Sequence, residues 1–479
     1  MTPSNRPNVL LITVDHWFGQ LLGAAGHPVV QTPTLDQLAR AGTRYCRAYS
    51  ESPVCVPARR TIMTGTAPRT HGDRIFQQDL PMPELPTLAQ TFRDHGYQAT
   101  AVGKLHVFPQ RARIGFDDVI LSEEGRAQWG VADDYERHLA AEGYAGQAYT
   151  HGMSNNQYVQ RPWHLPERLH VTHWATRQMA EVITRRDPTR PAFWYLSYTA
   201  PHPPLTPPRE YLEMYDGIEM DPPTVGNWAT DPAALPVQLH NRRHADAPEG
   251  FRDHELQAAK RAFYAQCTYV DHQLRVVIGT LREQGLLDDT VIMFTSDHGD
   301  MLGDHGLWAK RVFYEKSANV PMLLVGPTGD ARVGEGVVDD RLIGLQDVMP
   351  TLLDMAGLPV PETVEGRSML GPPRGVLHGE FGERDEATRM AHDGRYKLVY
   401  YPMGNITQLF DVESDPLDEH DLAGSPEHAD VVERLQRVIV DRAYGNDEEW
   451  IRDGALVGLP PRHPERTADR GLSQQRGLH

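Results

Sequence analysis

Several short apolar runs along the chain stop abruptly at a polar residue with chemical potential. Val9 to Val14 (VLLITV) ends at Asp15, and Val291 to Phe294 (VIMF) runs through Thr295 and Ser296 into Asp297. Phe193 to Tyr198 (FWYLSY) leads shortly to His202, and Gln98 to Val102 (QATAV) leads to Lys104 and His106. Apolar runs without alternation fit strands buried on both faces, which predicts an α/β fold with a large, mostly parallel sheet sandwiched by helices. The intervening segments supply such helices. Apolar residues recur at Leu256, Phe263, Val270 and Val277, and at Cys267, Leu274 and Leu281, as one stripe of a long amphipathic helix with Cys267 as plain core. Gly285 closes that helix before Asp288-Asp289-Thr290 opens the next strand.

The character changes after Gly371-Pro372-Pro373-Arg374-Gly375. Arg395 to Tyr401 (RYKLVYY), a turn at Gly404-Asn405 and Ile406 to Val412 read as a hairpin, followed by a helix over Pro426 to Arg442. The expected organisation is a catalytic α/β domain over residues 1–372 and a small C-terminal α+β domain with an antiparallel sheet over residues 373–479. The tail from Gly454 onward, rich in Pro, Gly, Arg and His, is expected to lack regular structure.

Composition narrows the partners. A chain of 479 residues exceeds the size at which one core stops growing. With 65 acidic against 47 basic residues the net charge is -18, which excludes general nucleic-acid binding and an anionic membrane surface. An anionic substrate would need local cations. The cysteines Cys46, Cys55 and Cys267 lack the spacing of a disulfide framework or a zinc site and suit a reducing compartment. The first apolar run is too brief and too soon interrupted for a secretory segment, and no run approaches the roughly 20 apolar residues of a spanning helix. A soluble, cytoplasmic protein is expected.

In open α/β sheets, ligands sit beyond the carboxyl ends of the strands. Asp15, Lys104, His106, His202 and Asp297 would therefore converge despite their separation in sequence. Two Asp-His pairs, Asp15-His16 and Asp297-His298, supply carboxylates and imidazoles suited to a divalent cation. Either pair alone also resembles a helix cap or an ordinary loop histidine; two pairs at two strand ends point to the metal. The stretch SPVCVPARRTIMTG (Ser52 to Gly65) places Cys55 four residues before Arg59, which could stabilise a nucleophilic thiolate. Lys104, His106, His202 and a cation exceed what a thiolate needs, and instead suit a multiply oxygenated anion.

The residues then become specific. CVPAR (Cys55 to Arg59) matches a C-x-P-x-R signature, and the run to Thr64-Gly65 matches its longer form, with Met63 where leucine is usual. GKLH (Gly103 to His106), PHPP (Pro201 to Pro204) and SDHGDMLGDHGLWAK (Ser296 to Lys310) follow in order, as do LQDVMPTLLDMAG (Leu345 to Gly357) and the YKLVYY…LFDVESDP ending. From Asn8 to about Leu422 the sequence resembles the formylglycine-dependent sulfatases of the alkaline phosphatase superfamily.

That resemblance implies a large α/β sandwich followed by a small antiparallel domain, and oxidation of Cys55 to formylglycine by a formylglycine-generating enzyme that reads Pro57 and Arg59. One hydroxyl of the aldehyde hydrate attacks sulfur and displaces the alcohol; the second expels sulfate by carbon–oxygen cleavage, an exit that serine or cysteine lacks. Asp15, Asp297 and His298 stand at metal-ligand positions with residue 55 completing the shell. His16 is a further candidate ligand where most sulfatases carry aspartate or glutamine. Calcium is the family's metal, with manganese or a similar ion an alternative for a nitrogen-containing shell. Arg59, Lys104 and Lys310 would neutralise sulfate oxygens, His106 would be the base for hydrate breakdown, and His202 with Lys310 the acid that protonates the leaving oxygen. Lys104, His202 and Lys310 would also bind the substrate. The insertion HGMSNNQYVQRPWH (His151 to His164) is either pocket lining or a surface loop. Three activities are in view: sulfuric ester hydrolysis of a small sulfated sugar, aryl sulfate or alkyl sulfate; phosphonate or phosphate ester hydrolysis; and metal-dependent binding without catalysis.

Overall fold

The computed structural model describes residues 6–125, 131–153, 156–231, 235–246 and 251–461. An eight-stranded sheet forms the centre of the fold. Its strands are β1 (Asn8–Val14), β2 (Thr43–Tyr49), β3 (Gln98–Gly103), β4 (Asp118–Leu121), β5 (Ala192–Ser197), β6 (Thr290–Ser296), β7 (Met322–Val325) and β8 (Val337–Gly344). They lie in the order β4-β3-β5-β1-β6-β7-β2-β8. All neighbours pair parallel except β7, which runs antiparallel to both β6 and β2.

The continuous apolar runs have a simple cause. Successive side chains of a strand point to opposite faces, and here both faces are covered. Leu10, Ile12 and Val14 pack with Trp194, Leu196, Ile292 and Phe294 under the helices Pro33–Ala41, Val171–Thr184 and Asp253–Glu283. Val9 and Leu11 pack with Phe193, Tyr195, Val291 and Met293 under the helices Cys55–Thr64 and Val348–Met355. The long helix Asp253–Glu283 buries the expected stripe, including Cys267. It also carries the buried Asp271, whose carboxylate accepts the backbone N–H groups of Thr34 and Leu35 at 3.0 and 2.8 Å and so caps the helix Pro33–Ala41 from a distant part of the chain.

A second, four-stranded antiparallel sheet follows, with β9 (Leu377–Phe381), β10 (Thr388–His392), β11 (Tyr396–Tyr401) and β12 (Ile406–Asp411) in the order β12-β11-β10-β9. The hairpin expected around Gly404-Asn405 is β11–β12. One face of this sheet packs against Leu435 and Ile439 of the helix Ala429–Arg442; the other, through Met390, Val399, Tyr401 and Phe410, packs against Val312, Phe313 and Tyr314. The tail departs from expectation at two places: Ala455–Leu456 pairs with Ile451–Arg452 as a short antiparallel ladder, because Gly454 at φ 73° lets the chain reverse there, and Leu459 bridges to Met403. Residues 462–479 of the expected irregular tail lie outside the described residues.

A buried ion triad joins the two sheets. The Lys397 ammonium on β11 is fully buried, bonded to Asp418 at 2.9 Å and to Glu315 in the short helix Glu315–Ala318. Removing the cation leaves two buried carboxylates facing each other, a change that costs about 3–5 kcal/mol when one partner of a buried pair is lost. Lys397→Met is therefore expected to lower the unfolding free energy by that order, read as a lower denaturant midpoint at unchanged slope; a midpoint within error of wild type would show that the triad does not join the sheets energetically.

Candidate active site

Every strand exit highlighted by the sequence pattern opens on the same edge of the large sheet. β1 and β6 are parallel neighbours, so Asp15 and Asp297 leave the sheet side by side. β3 and β5 are also parallel neighbours, which brings Lys104 and the His202 segment to the same edge. Gly103 has φ 102°, and a Cβ there would lie 1.9 Å from the Ser197 carbonyl oxygen, so only glycine lets β3 turn outward against β5. His16 and His106 take left-handed backbone, φ 71° and 58°, as do Ala309 (58°) and Arg311 (78°) on either side of Lys310. Non-glycine residues held in this region cost about 1–3 kcal/mol each and persist where surrounding contacts fix them.

Cys55 is the first residue of the helix Cys55–Thr64, and Arg59 lies one turn on, on the same face. Arg59 reaches back into the sheet edge. Its Nε donates to Asp297 Oδ2 at 2.9 Å, one terminal nitrogen donates to the Lys104 carbonyl at 3.0 Å and to Ser197 Oγ at 2.7 Å, and the other lies 3.5 Å from Asp15 Oδ2. Its guanidinium is thus occupied by the two carboxylates and the sheet edge. Around the thiol, Cys55 Sγ lies 3.1 Å from Lys310 Nζ, 3.3 Å from His298 Nε2 and 3.7 Å from Asp15 Oδ1. Lys104, fully buried, places Nζ 2.5 Å from both Asp15 Oδ2 and Glu124 Oε1.

Two groups of potential ligand atoms lie within 4.8 Å of one another, Asp15 with Cys55, Asp297 and His298, and Asp15 with His16 and His202. His16 is in the second group. Its Nδ1 is 2.6 Å from Asp300 Oδ2 and its Nε2 is 2.6 Å from Lys310 Nζ, so the ring bridges a carboxylate and an ammonium. The His16 and His202 rings meet edge to face at 4.3 Å. His202 Nδ1 is 2.7 Å from the Pro203 carbonyl, which it faces as a donor. His106 lies outside both groups; its backbone N–H is held by Glu123 at 3.0 Å and its ring stands 5.5 Å from that of Phe76.

The charges are mutually adjusted. Burial pushes the Asp15 carboxyl up, but Lys104, His202, Lys310 and His298 together hold it well below the usual range. Burial and Asp15 push the Cys55 thiol up, but Lys104, Lys310 and His298 outweigh them and hold it below the ordinary cysteine value. Burial opposes protonation of His298, yet Asp297 and Cys55 lift it above its ordinary value. Burial alone dominates at His202, lowered to about 3, and at Asp300, raised to about 6.

Several participants carry no sequence signal that singles them out. Asp300 sits inside the SDHGD run, two residues past His298, and also accepts the backbone N–H groups of Leu302 and Ala309 at 3.0 and 3.1 Å. Tyr158 of the 151–164 insertion donates its hydroxyl to Asp300. His151 and Trp163 of the same insertion line a cavity with Glu124, Tyr149 and His202, while Val159 between them is exposed. Glu123 accepts the N–H groups of Leu105 and His106 and fixes the GKLH turn.

Comparisons with known proteins agree with this geometry. A family model described as Sulfatase matches residues 7–358, and one described as N-sulphoglucosamine sulphohydrolase, C-terminal, matches residues 303–444. The chain is 31% identical over 477 residues to an arylsulfatase of Clostridium perfringens, covering 95% of this chain and 98% of the relative. It is 30% identical to a choline-sulfatase of Rhizobium meliloti, covering 88% and 83%. Among solved structures, a phosphonate monoester hydrolase from Silicibacter pomeroyi superposes with TM-score 0.77 at 25% identity, covering 91% of this chain and 95% of that one.

Two carboxylates, an imidazole and residue 55 on fixed backbone fit one divalent cation. Adding calcium or manganese to metal-stripped protein is therefore expected to raise the thermal unfolding midpoint, by mass action on the folded state. Asp297→Asn should lose that response; a midpoint indifferent to both ions in the unsubstituted protein would remove the metal from the account.

Proposed function

The chain belongs to the sulfatase family, and from that premise we propose that it hydrolyses a sulfate monoester to alcohol and sulfate through formylglycine at position 55. The observation that carries the proposal is the arrangement around Cys55 Sγ, with the Lys310 ammonium at 3.1 Å and the His298 imidazole at 3.3 Å. An oxygen at this position meets the same ammonium, while His298 Nδ1 faces the Gly299 carbonyl at 2.9 Å and leaves Nε2 as a ligand atom.

Asp15, Asp297 and His298 would hold the cation with residue 55. When bound, it supplies positive charge for sulfate oxygens and for an oxygen on residue 55. The carboxylates suit calcium, the imidazole suits manganese, and competition between the two ions in the titration above ranks them. Formylglycine supplies two hydroxyls on one carbon once hydrated, so sulfate can depart without a second attack at sulfur. Cys55 is fully buried, so a formylglycine-generating enzyme must reach it before the chain folds.

The remaining steps belong to this chain's own side chains. Lys310 Nζ lies against residue 55 and, with Lys104, neutralises the sulfate group. Arg59 acts one layer below, holding Asp15, Asp297 and the Lys104 backbone in place. Burial keeps His202 neutral in the free protein, leaving Nε2 as an acceptor. An anionic ester beside it opposes that shift and favours the protonated ring that can serve the leaving oxygen. His106, fixed by Glu123 at the β3 exit, is the candidate base for hydrate breakdown. Trp163, Tyr149 and His151 beside His202 offer aromatic walls to a small alcohol moiety.

The similarity to a phosphonate monoester hydrolase supports a second reading, hydrolysis of a phosphorus ester at the same site. An assay of matched aryl sulfate and phosphonate monoesters separates the two. We expect kcat/KM to favour the sulfate ester; a reversed preference overturns the first reading in favour of the second.

Asp300 orients His16, and through it Lys310. Asp300→Asn should lower kcat by about 10–100-fold, as loss of a group that orients catalytic side chains does, while the metal content measured by elemental analysis stays at wild-type stoichiometry. Unchanged kcat would show that this chain of contacts does not position Lys310.

A further inference from the structure

Away from the strand exits, a cavity of about 380 Å³ is lined by four arginines, Arg69, Arg367, Arg374 and Arg442, together with Gln346 and His378. Its acidic walls, Glu365 and Glu380, are already engaged: Glu365 accepts the Ala67 N–H at 2.7 Å, and Glu380 pairs with Arg74 at 3.0 Å. Arg374 is paired with Asp347. The guanidinium groups of Arg69, Arg367 and Arg442 make no hydrogen bond or ion pair with any described residue; that of Arg69 lies 5.4 Å from the Tyr444 ring. The His378 Nε2 atom is buried and has no hydrogen-bond partner. Burial, with Arg389 and Arg442 nearby, lowers His378 to about 3, so the ring is neutral.

This concentration of unpaired cations occurs in a chain of net charge -18. A guanidinium is the side chain best suited to grip sulfate, phosphate or carboxylate oxygens in pairs. The cavity volume lies within the range of about 300–1,000 Å³ typical of small-ligand sites. It is also separate from the active site. Cys55 begins the helix Cys55–Thr64 and Arg69 lies beyond its far end, so roughly 15 Å of helix stands between them. The lining comes from several places: Arg69 in the helix Pro68–His71, Arg367 on the link between Val348–Met355 and β9, His378 on β9, and Arg442 at the end of the helix Ala429–Arg442.

We propose that this cavity is a second anion site, which binds a small solute bearing two or more sulfate, phosphate or carboxylate groups and thereby ties the C-terminal helix to the segment preceding β9. The test is calorimetric titration of the metal-loaded protein with propanedisulfonate, fructose bisphosphate and glutarate, whose relative affinities identify the preferred oxyanion. The expected result is one equivalent of at least one of these anions bound, with the binding kept in Lys104→Ala and weakened about tenfold or more in Arg367→Gln/Arg442→Gln. The exposed double variant should keep sulfate-ester kcat/KM within about twofold of wild type, which shows it folded. Arg69→Gln alone should give a smaller loss. Binding of none of the three, equal binding in the double variant, or binding lost only in Lys104→Ala would overturn the proposal.

Discussion

Two carboxylates, Asp15 and Asp297, are buried next to each other at the ends of adjacent strands, and the Arg59 guanidinium that reaches both makes that arrangement possible. Without a cation between them, like charges at such separation in a dry site would force one to take up a proton. Arg59 donates to Asp297 at 2.9 Å and lies 3.5 Å from Asp15 Oδ2, and Lys104 meets that same Asp15 oxygen at 2.5 Å. Because Arg59 stands one turn behind Cys55 on the same helix, the contacts that neutralise the carboxylates also fix residue 55 over them. Charge balance and the position of residue 55 are therefore one constraint.

The rest of the fold serves this point. Parallel pairing of β1 with β5 and β6, and of β5 with β3, delivers four exits to one edge. The second sheet holds the other half of the site. Its inner face packs on Val312, Phe313 and Tyr314, and its Lys397 grips Glu315, so the segment carrying Lys310 is clamped a few residues beyond it. Left-handed backbone at Ala309 and Arg311 is held by the Asp300 carboxylate on the Ala309 N–H at 3.1 Å and by the Pro53 carbonyl on the Arg311 N–H at 2.9 Å. The insertion reaches the site through Tyr158 on Asp300 and Asp300 on His16.

The architecture is legible in the sequence because a strand covered on both faces must be apolar at every position, and such runs end where the chain meets solvent or chemistry. The direction of β7 is not legible: MLLV reads the same parallel or antiparallel. Asp15, Lys104, His202, Asp297 and His298 announce themselves by following strands. Asp300 does not, because a carboxylate in a loop is ordinary until its partners are known. Tyr158, Glu123 and Glu124 act through contacts with residues far away in sequence or across a turn, where no periodicity marks them. Arg59 illustrates the limit most clearly. Its presence in the motif is evident, but only the fold reveals that its donors face Asp297, Ser197 and the Lys104 carbonyl.

The account turns on residue 55. Mass analysis of the proteolytic peptide containing Cys55, taken from protein that hydrolyses a sulfate ester, tests it most directly. We expect the mass of the aldehyde or its hydrate, in a proportion that tracks specific activity across preparations. Full activity in protein whose Cys55 peptide carries only the unmodified thiol would contradict the account.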